Sequence, residues 1–387
     1  MLNFSFCNPT KIVFGKGSIE KLGDLTKDYN RIMITYGGGS IKRNGVYDKV
    51  MAQIKDRCVG EFCGIEPNPD HETCMKAVAV VKEKNPDFLL AVGGGSVLDA
   101  TKYIAAAANW KRTENPFDIL TLYGLEMNPE YKPHNLCPFA SVMTLPATGS
   151  EMNNGSVISW RAKHLKAGFY NEYPVFSILD PEVTYSLPKK QIANGLADSF
   201  LHVCEQYLGH YGKGVIQDEQ CEAIMRAIVD CAPRALECEH PDYQARAEYF
   251  WSTTMAINGL IGCGVKLCGA IHAVGHELTN FYGLDHGVTL AIVMPSLLRH
   301  IKELRRKKLE RFAERVFGVH GAVDMAEEAI RHCEKFFQSL EIATTLSGNG
   351  CDDSHFQEIA DKFKDMKIGE EKAICAEDVL VILKNAL

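Results

Sequence analysis

The chain has no CxxC pair, no GxGxxG string, no tandem repeat and no surplus of positive charge. Each absence removes a class of protein. Fourteen cysteines in 387 residues, scattered without paired spacing, are neither a disulfide framework nor a zinc ribbon; they read as free, mostly buried thiols of a reducing cytoplasm. No apolar run approaches the ~18 residues a membrane helix needs. The opening MLNFSFCNPTKIVFG, with Asn3, Asn8, Pro9 and Lys11, lacks the charged-then-apolar order of a secretory signal. A formal net charge of −7 disfavours nucleic acid or an anionic membrane as partner, because phosphate binding needs clustered Lys and Arg. The one basic run, residues 302–311 (KELRRKKLER), is interleaved with Leu304 and Leu309 and is expected to be a solvated helix face.

What is present is an ordinary globular composition, 46% hydrophobic and 24% charged, on a chain long enough for two cores. The first half alternates short β-branched runs (11–14, 31–36, 88–92, 141–145 and 175–180) with helical stretches. That is the signature of a parallel sheet with crossover helices. From about residue 187 the spacing changes to helices, at 218–236, 243–260, 287–301, 307–317, 324–340, 353–363 and 376–387. The expected organisation is an α/β dinucleotide-binding domain over 1–186 and an all-helical, metal-binding domain over 187–387.

Two strands end in the same string, Gly37-Gly38-Gly39-Ser40 after Tyr36 and Gly93-Gly94-Gly95-Ser96 after Val92. Glycine lets backbone approach a phosphate, and a helix start offers free N–H groups at its positive end. The first string continues as IKR, with no carboxylate to take a ribose 2′-hydroxyl, so a 2′-phosphate is the better guest. A third stretch, residues 144–154 (TLPATGSEMNN), is dense in small hydroxyls that can bond a cofactor, although such a loop alone is ordinary.

In the helical half, Asp198 and His202 stand four apart, hence on one helix face. Their neighbours Leu196, Ala197, Phe200, Leu201 and Val203 are apolar, where an unpaired polar group costs about 2 to 7 kcal/mol and a charge more. A cation is the economical remedy. His272, His276 and His286 follow in residues 271–286 (IHAVGHELTNFYGLDH). Asp198, His202, His272 and His286 are expected to hold a divalent metal between two helices, since imidazole nitrogen with carboxylate oxygen suits zinc and ferrous iron. His276-Glu277 begins like HExxH, but Asn280 stands where the second histidine is required.

With both GGGS strings, TLPATGSE, Asp198-x3-His202 and the histidine segment in this order, the chain resembles the iron-dependent (group III) alcohol dehydrogenases over essentially its whole length. Through ITYGGGS, FGKG, GIEPNP, LLAVGGGSVLDATK and NGLADSFLHVCEQY it is most similar to their NADPH-dependent butanol dehydrogenase and aldehyde reductase branch. The resemblance implies a dehydroquinate synthase-like fold. It also implies a homodimer, and hydride transfer between NADP(H) and a small aldehyde or primary alcohol, with Fe2+ or Zn2+ as Lewis acid. It places the metal on Asp198, His202, His272 and His286, and His276 near the reacting end as a proton relay. Gly94, Gly95, Ser96 and Asp99 fall at the pyrophosphate and ribose, Gly38, Gly39 and Ser40 at the adenosine side, and Thr144, Thr148, Asn153 and Lys166 at the nicotinamide half. Rival readings are a glycerol dehydrogenase-like polyol oxidation with NAD, a dehydroquinate synthase-like lyase, and a metal- and nucleotide-binding sensor without catalysis.

Overall fold

The computed structural model describes residues 1–209 and 214–387, in two compact units. One unit spans Cys7–Leu187; the other joins Met1–Phe6 to Pro188–Leu387. In the first, the chain runs β1 (Lys11–Phe14), α1 (Leu22–Leu25), β2 (Ile32–Tyr36), α2 (Ser40–Arg43), α3 (Val46–Ile54), β3 (Cys58–Phe62), α4 (His71–Lys84), β4 (Phe88–Gly94) and α5 (Gly95–Ala108). It continues through β5 (Phe139–Leu145), β6 (Gly155–Trp160), β7 (Leu165–Tyr170) and β8 (Phe176–Leu179).

Six strands form one sheet in the order β1-β8-β5-β4-β2-β3, parallel at every pairing. Every residue of β2 is buried, as are the first six of β4 and of β5. Strands covered on both faces must be apolar throughout, which is why FLLAV and IMITY read as unbroken runs. β3, CVGEF, is only half-buried because it forms the sheet edge, and no apolar run announces it. The separate antiparallel hairpin β6–β7 was equally silent, since GSVISW and LKAGFY mix polar with apolar residues.

The connection from β2 leads outward to its neighbour β3, whereas that from β4 leads to β5 on the other side. Chain paths therefore diverge after β2 and β4, and a ligand crevice belongs at such a switch point, beyond the carboxyl ends of the strands. Both glycine strings leave from there.

The second unit is built from α6 (Lys189–Leu208), α7 (Val215–Ala235), α8 (Tyr243–Ala256), α9 (Ala270–Tyr282), α10 (His286–His300), α11 (Lys302–Phe317), α12 (Met325–Ser339), α13 (Phe356–Asp361) and α14 (Ala376–Asn385). Among the described residues it holds no strand, only a single bridge between Ile368 and Ile374. α6 is buried on nearly every side and forms the spine of the unit.

Two expectations need correction. The basic run lies in α11, but it is not simply a solvated face. Lys308 is buried, its Nζ 2.5 Å from Asp218 Oδ1, and Arg311 Nε lies 2.5 Å from Oε1 of the buried Glu222. A run of charges cannot show which members meet a buried partner. All fourteen cysteines are free, as expected, but six are buried, six half-buried and two, Cys7 and Cys63, exposed. No helix among the described residues is long and apolar enough to cross a membrane.

Candidate metal centre and nucleotide turns

Asp198 and His202 leave α6 one turn apart, and His202 Nε2 lies 3.6 Å from Asp198 Oδ1. The same oxygen is 4.0 Å from His272 Nε2 and 3.6 Å from His286 Nε2. One ligand atom from each of the four residues lies within 4.8 Å of the others. His272 sits in the first turn of α9, and His286 is the first residue of α10. Three helices supply the quartet, not two. Gly283, with φ 69°, ends α9, and the short turn through Leu284 and Asp285 restarts the chain as α10, which the spacing of the histidines did not reveal.

Helix approach is set by glycine. A Cβ on Gly287 would stand 2.5 Å from the Asn194 carbonyl oxygen of α6, so only a bare Cα lets α10 bring His286 against Asp198. Beside it, the Asp285 carboxylate accepts from Asn194 Nδ2 at 3.2 Å and pairs with Lys190 Nζ at 2.8 Å, tying the two helices at the same level.

The donor set suits a divalent cation. Donors held about 2.1 Å from a tetrahedral ion stand about 3.4 Å apart, close to the spacings here. Burial, then the neighbouring His272 imidazole, hold His202 well below the usual histidine range, so its ring is neutral, the form that ligates. Its Nδ1 is buried beyond reach of any protein partner among the described residues. Side-chain exposure rises from 5% at Asp198 and 10% at His202 to 18% at His272 and 22% at His286. The carboxylate is thus the floor of the site, and the His286 side is its mouth. His276 lies one turn beyond His272, its ring centroid 5.2 Å from that of His286.

In the other unit, β4 passes into α5 at Gly94–Gly95 with no intervening loop, so the free N–H groups of α5 face the end of the strand. Two of these glycines are required by the protein itself. A Cβ would lie 2.6 Å from Val97 Cγ2 at Gly93 and 2.0 Å from Thr148 Oγ1 at Gly95. Gly38 differs, with open space where a Cβ would be, and Gly39, at φ 86°, turns the chain into Ser40. Lys42 of the IKR segment lies 3.8 Å from Glu61 of β3 and over the rings of Tyr36 and Tyr47. A carboxylate absent from the local sequence thus arrives from the adjacent strand.

The 144–154 segment is fastened by a residue that sequence reasoning passed over. Lys102 Nζ lies within 3.2 Å of five oxygens, on Ser150, Asn153 and Gly155. Burial draws its pKa down to about 8, with Asp99 and Glu151 pulling the other way, so it stays largely charged at neutral pH. Ser150 Oγ donates onward to Asp99 Oδ1 at 2.6 Å, while Asp99 Oδ2 accepts from the Val157 amide at 3.0 Å. Asp99, expected at the cofactor, therefore also clamps this loop. Asn153 likewise works internally, donating to the Gly149 carbonyl and accepting from the Gly155 amide. Lys166 donates to Asn68 Oδ1 at 3.0 Å. Thr144 is buried at the end of β5, and Thr148 Oγ1 accepts from the Ser150 amide. The signal for Lys102 was its position one turn after Asp99 on a helix otherwise rich in alanine.

Residues 9–181 match the family described as iron-containing alcohol dehydrogenase, and residues 192–387 match its C-terminal part. The chain belongs to the iron-containing alcohol dehydrogenase family. This alcohol dehydrogenase homologue is 46% identical to the NADP-dependent alcohol dehydrogenase 3 of Entamoeba histolytica, covering 100% of this chain and 99% of that protein. It is 44% identical to the NADPH-dependent aldehyde reductase YqhD of Escherichia coli, covering 94% of each. A crystal structure of YqhD superposes with a TM-score of 0.95 at 42% identity, over 100% of this chain and 99% of that one. The protein from Bacillus subtilis named probable NADH-dependent butanol dehydrogenase 1 is 39% identical, over 100% of both chains.

Proposed function

We propose that the protein reduces small aldehydes to primary alcohols with NADPH, and runs the reverse oxidation with NADP, at a divalent metal, Fe2+ or Zn2+, held by Asp198, His202, His272 and His286. The observation that carries the reading is the convergence of one carboxylate and three imidazoles within 4.8 Å. When bound there, the cation supplies Lewis-acid polarisation of the substrate oxygen. Asp198 would offset one of its two charges while neutral imidazoles would offset none, so the site would keep a net charge of about +1 facing the substrate oxygen. His276, one turn beyond His272, would exchange a proton with the alcohol oxygen, since imidazole titrates near neutral pH.

The amides at the start of α5, around Gly94, Gly95 and Ser96, would bind the pyrophosphate. Gly38, Gly39 and Ser40 would take the adenosine end, where exposed Arg43 adds positive charge for a 2′-phosphate. Thr144, Thr148 and Lys166 would line the nicotinamide half, while Asp99 and Asn153 hold the loop that shapes it. The high identity to relatives named for NADP or NADPH supports this choice of cofactor.

The test follows NADPH absorbance with butanal, using protein stripped by chelator and then reloaded with Fe2+ or Zn2+. Turnover is expected only after reloading, with NADPH favoured over NADH by about tenfold or more. Full activity without metal, or a preference for NADH, would overturn the corresponding half of the proposal.

A further inference from the structure

Glu205 lies seven residues after Asp198 on α6, so it shares the face that carries Asp198 and His202. It is 6% exposed. Its Oε1 accepts from the Ile271 amide at 2.7 Å and the His272 amide at 3.4 Å. Its Oε2 meets His272 Nδ1. The main chain joins in, with the Cys268 amide donating to the Glu205 carbonyl at 3.0 Å.

Both Ile271 and His272 stand in the first turn of α9, where amides have no partner within the helix. The residue before that helix is Gly269, which has no side chain to cap it. Glu205 therefore caps α9 from a neighbouring helix with one oxygen and addresses the His272 ring with the other. A carboxylate can only accept, so the ring nitrogen facing it must carry the proton.

We propose that Glu205 is a positioning residue that fixes His272 with its proton on Nδ1, so that the Nε2 lone pair points toward Asp198 and sets the affinity of the quartet for a divalent cation. The inference rests on the metal reading above. Partners of this kind fix the tautomer and orientation of ligating histidines, and losing one typically weakens metal binding about 10- to 100-fold.

Glutamine at this position makes the two jobs incompatible. Its single oxygen can serve the α9 amides, which leaves its NH2 facing Nδ1 and drives the imidazole proton to Nε2, where it blocks ligation. Turned the other way, NH2 meets the backbone donors. Glu205→Gln keeps the size and the packing but not the second acceptor.

Zn2+ affinity of chelator-stripped wild type and Glu205→Gln, measured by competition with a chromogenic chelator, tests this directly. The expected result is a Kd raised about 10- to 100-fold in the variant, with the melting temperature of the stripped protein little changed. Equal affinity in a folded variant overturns the proposal. Should the variant fail to fold, 15N spectra of the imidazoles in stripped wild type decide, through the protonation of His272. A proton on Nδ1 supports the assignment, and a proton on Nε2 overturns it. Wild type that binds no Zn2+ would count against the metal reading itself, and the tautomer would still judge Glu205.

Discussion

At the scale of single residues, the proposed cofactor preference turns on Ser40. It begins α2 directly after Gly39, beside Lys42 and Arg43, and no carboxylate stands in its own segment. Lys42 is less available than the sequence suggests, since Glu61 lies 3.8 Å away; Arg43, exposed, keeps its charge toward solvent. Replacing Ser40 by Asp puts a negative charge where a 2′-phosphate is proposed and offers a carboxylate to a 2′-hydroxyl instead. The ratio of kcat/KM for NADPH to that for NADH is expected to fall about tenfold or more. Parallel steady-state assays check it, and an unchanged ratio would remove Ser40 from the adenosine site. At this scale the sequence was legible where local spacing encodes geometry, as with Asp198 and His202. It was opaque where a partner comes from elsewhere in the fold, as Glu61 does for Lys42 and Glu205 for His272.

Among the elements, α11 departs furthest from its sequence pattern. Its residues KELRRKKLER face several surroundings at once. Lys308 is buried against Asp218, Arg311 reaches Glu222, and Lys302 and Arg306 clasp Asp324 at 3.1 and 3.0 Å. Asp324 also caps α12, accepting from the Glu327 amide. The Lys302 hydrogen bond first, and then that cap, hold its carboxyl down from 3.8 to about 2. A carboxyl lowered in the folded state contributes stability above its unfolded pKa and loses it as pH falls through the folded value. Asp324→Asn should therefore melt below wild type at neutral pH, with the gap narrowing from about pH 4 down toward pH 2. A gap independent of pH would show that the carboxylate charge does not carry the effect. Strands β2, β4 and β5 were readable because burial on both faces demands apolar runs, whereas β3, β6 and β7 are partly exposed and leave no such trace.

For the whole molecule, membership in the iron-containing alcohol dehydrogenase family and the convergence of Asp198, His202, His272 and His286 from α6, α9 and α10 into a group that could hold a metal point to one chemistry. The glycine turns flank the switch point of the parallel sheet, and in the helical unit α9 and α10 bring His272 and His286 to Asp198 and His202 on the buried α6. Both features were present in the sequence as motifs; the fold supplied the Gly287 approach that makes a site of the quartet. These four side chains are proposed to hold a metal that the reaction requires. Metal analysis by mass spectrometry, on wild type and Asp198→Ala purified side by side without chelator, tests it most directly. Wild type should carry one Fe2+ or Zn2+ per chain and reduce butanal with NADPH, and the variant should lose both the metal and the activity while remaining folded. An Asp198→Ala protein that keeps its metal and its full rate would contradict the assignment.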